Sequence, residues 1–317
     1  MKRALLVGID DYDHFSPLGG CVNDVVALTP LLARHEDATP NFDSQTRTSN
    51  TGSVTHDMLL RAVDALLAPG ADVALFYFAG HGAQEMSDVT LVTTDGTRQS
   101  PGIKLSDFLA RVQASSIGEV VVILDCCFSG GAGGVPQLGT STAAVRPGLS
   151  MLTASRGDQT SAETAAGRGL FSIYLGGALD SGAADVLGKV TLAGLYAYLT
   201  ESFGAWEQRP TLKANVDRLH ELRRCSPAVP LEELRRLPQL FASAEADLPL
   251  DPSYEPTVEP YDAQHQADFA VLQHCRAAKL VNPVDAEHLY FAAMNSTACR
   301  LTPLGRHYRH MAAQDWL

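Results

Sequence analysis

Three short runs of uninterrupted apolar residues punctuate the first half of the chain, Ala4 to Val7, Val73 to Phe78 and Val120 to Leu124, and each gives way to a small or polar residue. Apolar character without alternation is what a strand shows when helices cover both faces of its sheet. Between the runs the apolar spacing turns helical. It runs from Asn23-Asp24 through Val25, Val26, Leu28, Leu31 and Leu32, again across Thr55 to Leu67, and again across Leu105 to Ala114. Pro30 falls inside the first helical pattern and is expected to kink it. Further on, Gly148 to Thr153 predicts a strand and Thr191 to Phe203 a helix. This order predicts an α/β fold, a mainly parallel sheet flanked by helices with right-handed crossovers. Ligands of such sheets collect at the carboxyl ends of the strands, so the loops expected after Phe78 and Leu124 are where chemistry is sought.

The pattern changes beyond residue 225. Seven prolines fall between Pro227 and Pro260, and residues 226–260 hold two arginines against seven acids. That composition predicts an extended, solvated linker with at most a short helix near Leu231 to Leu237. Residues 261–317 return to helical spacing, in Phe269, Leu272 and Cys275, then Ala286 to Met294, then Leu304 to Met311, with five basic and five acidic side chains. The expected organisation is a domain over 1–225, a linker over 226–260 and a small, mostly helical domain over 261–317.

Length and charge narrow the choice of function. A chain of 317 residues with 45% hydrophobic and 19% charged residues can bury a core. With 24 Lys plus Arg against 36 Asp plus Glu, its net charge of -12 repels polyphosphate, which makes nucleic acid a poor partner. No apolar run reaches the roughly 18 residues of a membrane span, and the start, Met1-Lys2-Arg3 before Ala4 to Val7, is too short for a signal peptide. A cytoplasmic protein without a membrane partner is expected. The cysteines at 21, 126, 127, 225, 275 and 299 form no CxxC pair, so neither a zinc site nor a disulfide framework is predicted.

Two segments at the expected strand ends carry reactive groups: Ala79-Gly80-His81-Gly82 and Asp125-Cys126-Cys127-Phe128-Ser129-Gly130. A thiol becomes a nucleophile when a base favours its thiolate, and a histidine on a neighbouring strand end can supply this. The glycines beside His81 let backbone approach a ligand, leaving the Gly82 N–H, with the nucleophile's own N–H, to form an oxyanion hole. Taken singly, either residue type is as readily a buried small hydrophobe or a satisfied loop histidine.

In combination the two segments resemble the caspase-like cysteine peptidases, and among them the metacaspases and bacterial caspase homologues, with a histidine loop like YxxGHG and a cysteine loop like D-x-C-x-S-G. Tyr77 to Gly82 and Asp125 to Gly130 occur in that order, with 46 residues from His81 to Cys127. Similarity extends over about residues 1–217, through Gly8-Ile9-Asp10, Cys21-Val22-Asn23-Asp24, Ser150 to Glu163 and Gly169-Leu170-Phe171-Ser172. The resemblance implies the caspase-hemoglobinase fold, with Cys127 as nucleophile, His81 as base and then acid, and Cys126 as a bystander. It implies no third carboxylate, because backbone orients the histidine in this family.

Where animal caspases carry a neutral glutamine, this chain has Asp125. The resemblance to metacaspases places Asp125 and Asp24 in the primary specificity pocket, where paired carboxylates select Arg or Lys by charge-assisted bonding. Protein substrates cut after a basic residue are therefore expected. Asp24 also suits a helix N-cap. No cofactor is required by this chemistry. Metacaspases often need calcium, and Asp88 and Asp95 are the candidate ligands, although they form no recognisable loop of alternating oxygens. The glycine-rich stretch from Gly130 to Pro147 resembles an activation loop, with self-cleavage at Arg156 or Arg168 favoured over Arg146, which precedes Pro147. The last 55 or so residues resemble a winged-helix module. Their balanced charge favours a protein-recognition role, such as docking an activating partner, over DNA reading. The expected function is a cysteine endopeptidase in bacterial stress, defence or cell death, with a catalytically silent caspase-like scaffold as the alternative.

Overall fold

Strand β1 (Lys2–Gly8) lies between two parallel neighbours, β2 (Phe42–Thr48) and β3 (Val73–Glu85). Beyond β3 the computed structural model continues in parallel with β6 (Glu119–Ser129) and β7 (Leu149–Thr153), and closes with antiparallel β8 (Thr211–Asn215). Two short strands, β4 (Asp88–Val92) and β5 (Gly102–Lys104), pair antiparallel off the far end of β3. The structure describes residues 1–85, 88–129, 146–154, 167–204, 210–259 and 262–317. They divide into two units, Met1–Ala184 with Lys189–Cys225, and Asp185–Gly188 with Ser226–Leu317.

Alternation along the central strands explains their continuous apolar runs. Leu5, Val7, Phe76, Phe78, Val122 and Leu124 face one core, packed by α2 (His56–Leu66) and α3 (Leu105–Ala114) through Leu59, Val63 and Phe108. Ala4, Leu6, Leu75, Tyr77, Val121 and Ile123 face the other, packed by α1 (Cys21–Ala33), α4 (Leu170–Gly177) and α5 (Leu192–Ser202) through Val25, Leu28, Phe171 and Leu195. Each fully buried Leu or Phe contributes about 1.5–3 kcal/mol relative to exposure, so both faces are held by the same strands. Helix α1 continues through Pro30 to Ala33 as one element, although a proline supplies no N–H to the Val26 carbonyl. Among the described helices none is long and apolar enough to cross a membrane.

Three sequence expectations differ from the structure. β2 was not predicted, because it is an edge strand of composition FDSQTRT in which only Phe42 and Thr48 are buried and no apolar run occurs. The segments after Phe78 and Leu124 are not loops: β3 and β6 stay paired through Ala83 and Ser129. Nor is 226–260 an extended linker. Val229, Leu234, Leu237, Phe241, Leu250 and Tyr254 are buried in the second unit's core, and the prolines punctuate short helices at Leu231–Leu234 and Leu237–Leu240.

The second unit also holds a small antiparallel sheet, Asp247–Pro249, Ala298–Leu301 and Val281–Val284 in that order, and helices Ala263–Ala277, Leu289–Met294 and Pro303–Ala313. The helical spacing read from Ala286 begins only at Leu289, after the strand ending at Val284. Thr302 caps the last helix, accepting from the Gly305 N–H at 3.1 Å.

Candidate active site

The extended pairing of β3 and β6 brings the two reactive segments together. Ala79 is the register partner of Asp125, and His81 that of Cys127. Strand period two gives Tyr77, Ala79 and His81 one parity and, across the pair, Asp125 and Cys127 the same one. Cys126 has the other parity and is buried in the opposite core. The Cys127 side chain lies outside the described residues, as do those of Phe128 and Ser129. Gly82, expected as a free loop amide, is instead the register partner of both Phe128 and Leu91, so its backbone belongs to the sheet.

The loop after β1 holds His81. Its Nε2 lies 2.8 Å from the carbonyl oxygen of Ser16. A carbonyl only accepts, so Nε2 carries the proton and Nδ1 is the basic nitrogen. The His81 backbone N–H donates to the Tyr12 hydroxyl at 2.8 Å, and the two rings pack with centroids 4.8 Å apart. Gly80 has to be a glycine here, since a Cβ would lie 2.6 Å from the Tyr12 Oη. Burial raises the Tyr12 pKa far above the usual phenol value, so it remains a neutral acceptor. The loop is itself tied down. The Asp10 carboxylate accepts from the Cys21 and Val22 N–H groups at 2.9 and 3.2 Å, and the Asp10 carbonyl from Leu18 N–H. Asp10 thus serves the start of α1, which corrects the N-cap reading of Asp24: the N-cap position is Gly20, and Asp24 lies within the first turn.

Asp24 instead joins Asp125 in a buried acidic pair, the two being 2% and 8% exposed. A Cβ placed on Gly169 would lie 3.1 Å from Asp24 Oδ2 and 3.4 Å from Asp125 Oδ2, so both carboxylates converge on that glycine. The Tyr77 hydroxyl donates to Asp125 Oδ2 at 3.2 Å. Burial first, and then the charge of Asp24, push the Asp125 carboxyl up to about 7. Burial also raises Asp24, against the lowering effect of Ser172, the Gly169 N–H and Arg168. Arg168 Nε donates to Asp24 Oδ1 at 3.2 Å and the Gly169 N–H to Asp24 Oδ2 at 3.2 Å.

The two calcium candidates each have hydrogen-bond donors at a helix start. The Asp88 carboxylate accepts from the Ser106 N–H and hydroxyl at the start of α3, and Asp95 accepts from the His56 N–H at the start of α2. Each is committed to a helix N-terminus, and no group of three metal-ligating side chains occurs among the described residues. Sequence reasoning missed Tyr12 and Ser16 as groups that hold the histidine and Arg168 as a ligand of Asp24. Only the Gly8-Ile9-Asp10 motif just upstream hinted at the first two.

A histidine held by a loop carbonyl thus stands in backbone register with a cysteine at the carboxyl edge of the parallel sheet of an α/β fold. The chain belongs to the caspase-domain family, whose model matches residues 1–219. It is similar to Metacaspase-2 of Trypanosoma brucei brucei (strain 927/4 GUTat10.1), with 29% identity over 145 residues that cover 40% of this chain and 41% of the relative. Metacaspase-1 of Plasmodium falciparum (isolate 3D7) is 28% identical over 155 residues, covering 41% of this chain and 24% of the relative. Metacaspase-1 of Schizosaccharomyces pombe (strain 972 / ATCC 24843) is 26% identical over 154 residues, covering 43% and 35%. The chain thus spans about two fifths, or less, of the length of these relatives.

Proposed function

We propose that the chain is a cysteine endopeptidase that cleaves proteins after Arg or Lys. The observation that carries this reading is the register pairing of His81 with Cys127 beside the buried Asp24–Asp125 pair. His81 Nδ1 takes the thiol proton of Cys127, and the thiolate adds to the scissile carbonyl carbon, forming a tetrahedral oxyanion. Collapse breaks the C–N bond, and the amine leaves with the proton held by His81. A water then gives its proton to Nδ1 and adds to the thioester, releasing the acid and restoring the thiol. The N–H groups of Gly82 and Cys127 are assigned to the oxyanion, which requires the last β3–β6 pairs to open when substrate binds. Asp24 and Asp125 receive the cationic side chain before the cut.

The second unit is assigned to docking an activating protein partner. Its exposed Tyr290, Phe291, Leu304 and Trp316 suit a protein surface better than a phosphate backbone. The winged-helix likeness rests on the strand Ala298–Leu301 leading through Thr302 into the last helix. Short DNA duplexes that bound with a steep salt dependence would overturn this assignment.

The test of the peptidase reading uses purified protein with fluorogenic peptides ending in Arg, Lys or Asp, with and without calcium, beside a Cys127→Ala control. Cleavage after Arg or Lys that disappears in the control supports it. Preference for Asp refutes the pocket, and cleavage that survives the substitution refutes the nucleophile.

A further inference from the structure

The acidic pair already holds a guanidinium. Arg168 bonds Asp24 through Nε at 3.2 Å and reaches the Ser172 hydroxyl with Nη2 at 3.0 Å, on the first turn of α4. We propose that Arg168 is an internal occupant of the specificity pocket, which a substrate's basic side chain must displace; this rests on the peptidase reading above.

Four observations favour exchange over a fixed wall. The bond to Asp24 is made by one nitrogen, whereas the geometry that locks a guanidinium to a carboxylate is bidentate. The Arg168 side chain is 26% exposed while that of Asp24 is 3% exposed, so the cation can move to water and the carboxylate cannot follow. Asp24 keeps the Gly169 N–H as a donor when the arginine leaves. Asp125 accepts a single hydrogen bond among the described residues, from Tyr77, so the pair has acceptor capacity for an incoming guanidinium that Arg168 does not use.

Arg168 is held as a ligand and not as a substrate. The peptide bond after it is engaged through its N–H, which Gly169 donates to Asp24, and the next carbonyl, that of Gly169, accepts from Ile173 N–H at 3.0 Å. A scissile bond has to lie extended beside the thiol, so self-cleavage is not expected at this position.

The test compares the chain with Arg168→Ala and with Ser172→Ala, which removes the hydroxyl shared by Arg168 and Asp24 while leaving Arg168 its contact with the Ser172 carbonyl. Acetyl-arginine amide is titrated calorimetrically into each on a Cys127→Ala background, and KM for an arginyl peptide is measured in the active proteins. If the arginine fills the site nine-tenths of the time, its removal tightens probe binding and lowers KM by about tenfold, with Ser172→Ala moving both by less in the same direction. Equal or weaker probe binding by a folded Arg168→Ala protein overturns the proposal, since Arg168 is then a wall of the pocket. If Arg168→Ala does not fold, an unchanged Kd and KM in Ser172→Ala overturns it as well. Failure of the pocket itself reads differently: neither chain binds the probe, and cleavage follows another residue type.

Discussion

Under the proposed specificity Asp125 is held between two demands, since a cationic side chain would need it ionised while its buried place beside Asp24 favours the proton. Its folded pKa, about 7, lies above the ordinary 3.8. The protonated form therefore contributes stability that is fully present below about 4 and is lost as pH rises through 7. Asp125→Asn keeps an oxygen for Tyr77 and removes the charge. Its Tm should lie closest to that of the native chain below about pH 4 and exceed it by a growing margin up to pH 8, as thermal unfolding at pH 4 and pH 8 would read. For the same reason KM for an arginyl peptide should fall between pH 6 and pH 8 in the native chain and stay flat in the variant. Tyr12 makes a separate residue-scale prediction. Tyr12→Phe leaves the half-buried His81 N–H without its acceptor, a cost of about 0.5–1.5 kcal/mol. Steady-state kinetics should show kcat reduced by about tenfold or more with KM little changed if the hydroxyl acts only by holding the histidine's backbone.

Elements place these residues, and Asp10 is the clearest joint between them. One carboxylate serves the start of α1, which carries Asp24, and closes the loop that carries Tyr12 and Ser16. Asp10→Ala should cost about 0.5–2 kcal/mol in denaturant unfolding, the range of a lost helix cap. It should also lower kcat/KM, because both the histidine loop and the pocket helix lose their anchor. The elements themselves were legible where burial on both faces wrote an uninterrupted apolar run, as in β1, β3 and β6, or a helical stripe, as in α2 and α3. They were illegible where an edge position demands little of the side chains. β2 pairs along its full length with β1 by backbone alone, and FDSQTRT shows no period that would reveal it. His81 and Cys127 could be read because glycines and a motif surround them. The contact between Arg168 and Asp24 could not be read, for it joins positions 144 residues apart through two side chains.

At the scale of the molecule, each unit carries its own core, and the surprise lies in where the second begins. The proline and acid content of 226–260 conceals six apolar side chains that the sequence spaces irregularly and the fold brings together. A linker would tolerate truncating them. Phe241→Ala should instead cost about 3–5 kcal/mol, as a buried Phe does, and shift the denaturation midpoint of the second unit. Cysteine burial has a consequence for handling the protein. Cys21, Cys126, Cys225, Cys275 and Cys299 are all buried, and burial raises the thiol pKa of Cys21 and Cys225 and takes Cys275 and Cys299 to about 12. Thiolate is the form that iodoacetamide alkylates, and protonated interior thiols react slowly. A chain with six cysteines should therefore take up one carbamidomethyl group at neutral pH, seen as a single adduct by intact mass spectrometry. If Cys127 is the proposed nucleophile, that single adduct is expected to vanish in Cys127→Ala and so to count the reactive thiol before a substrate is known.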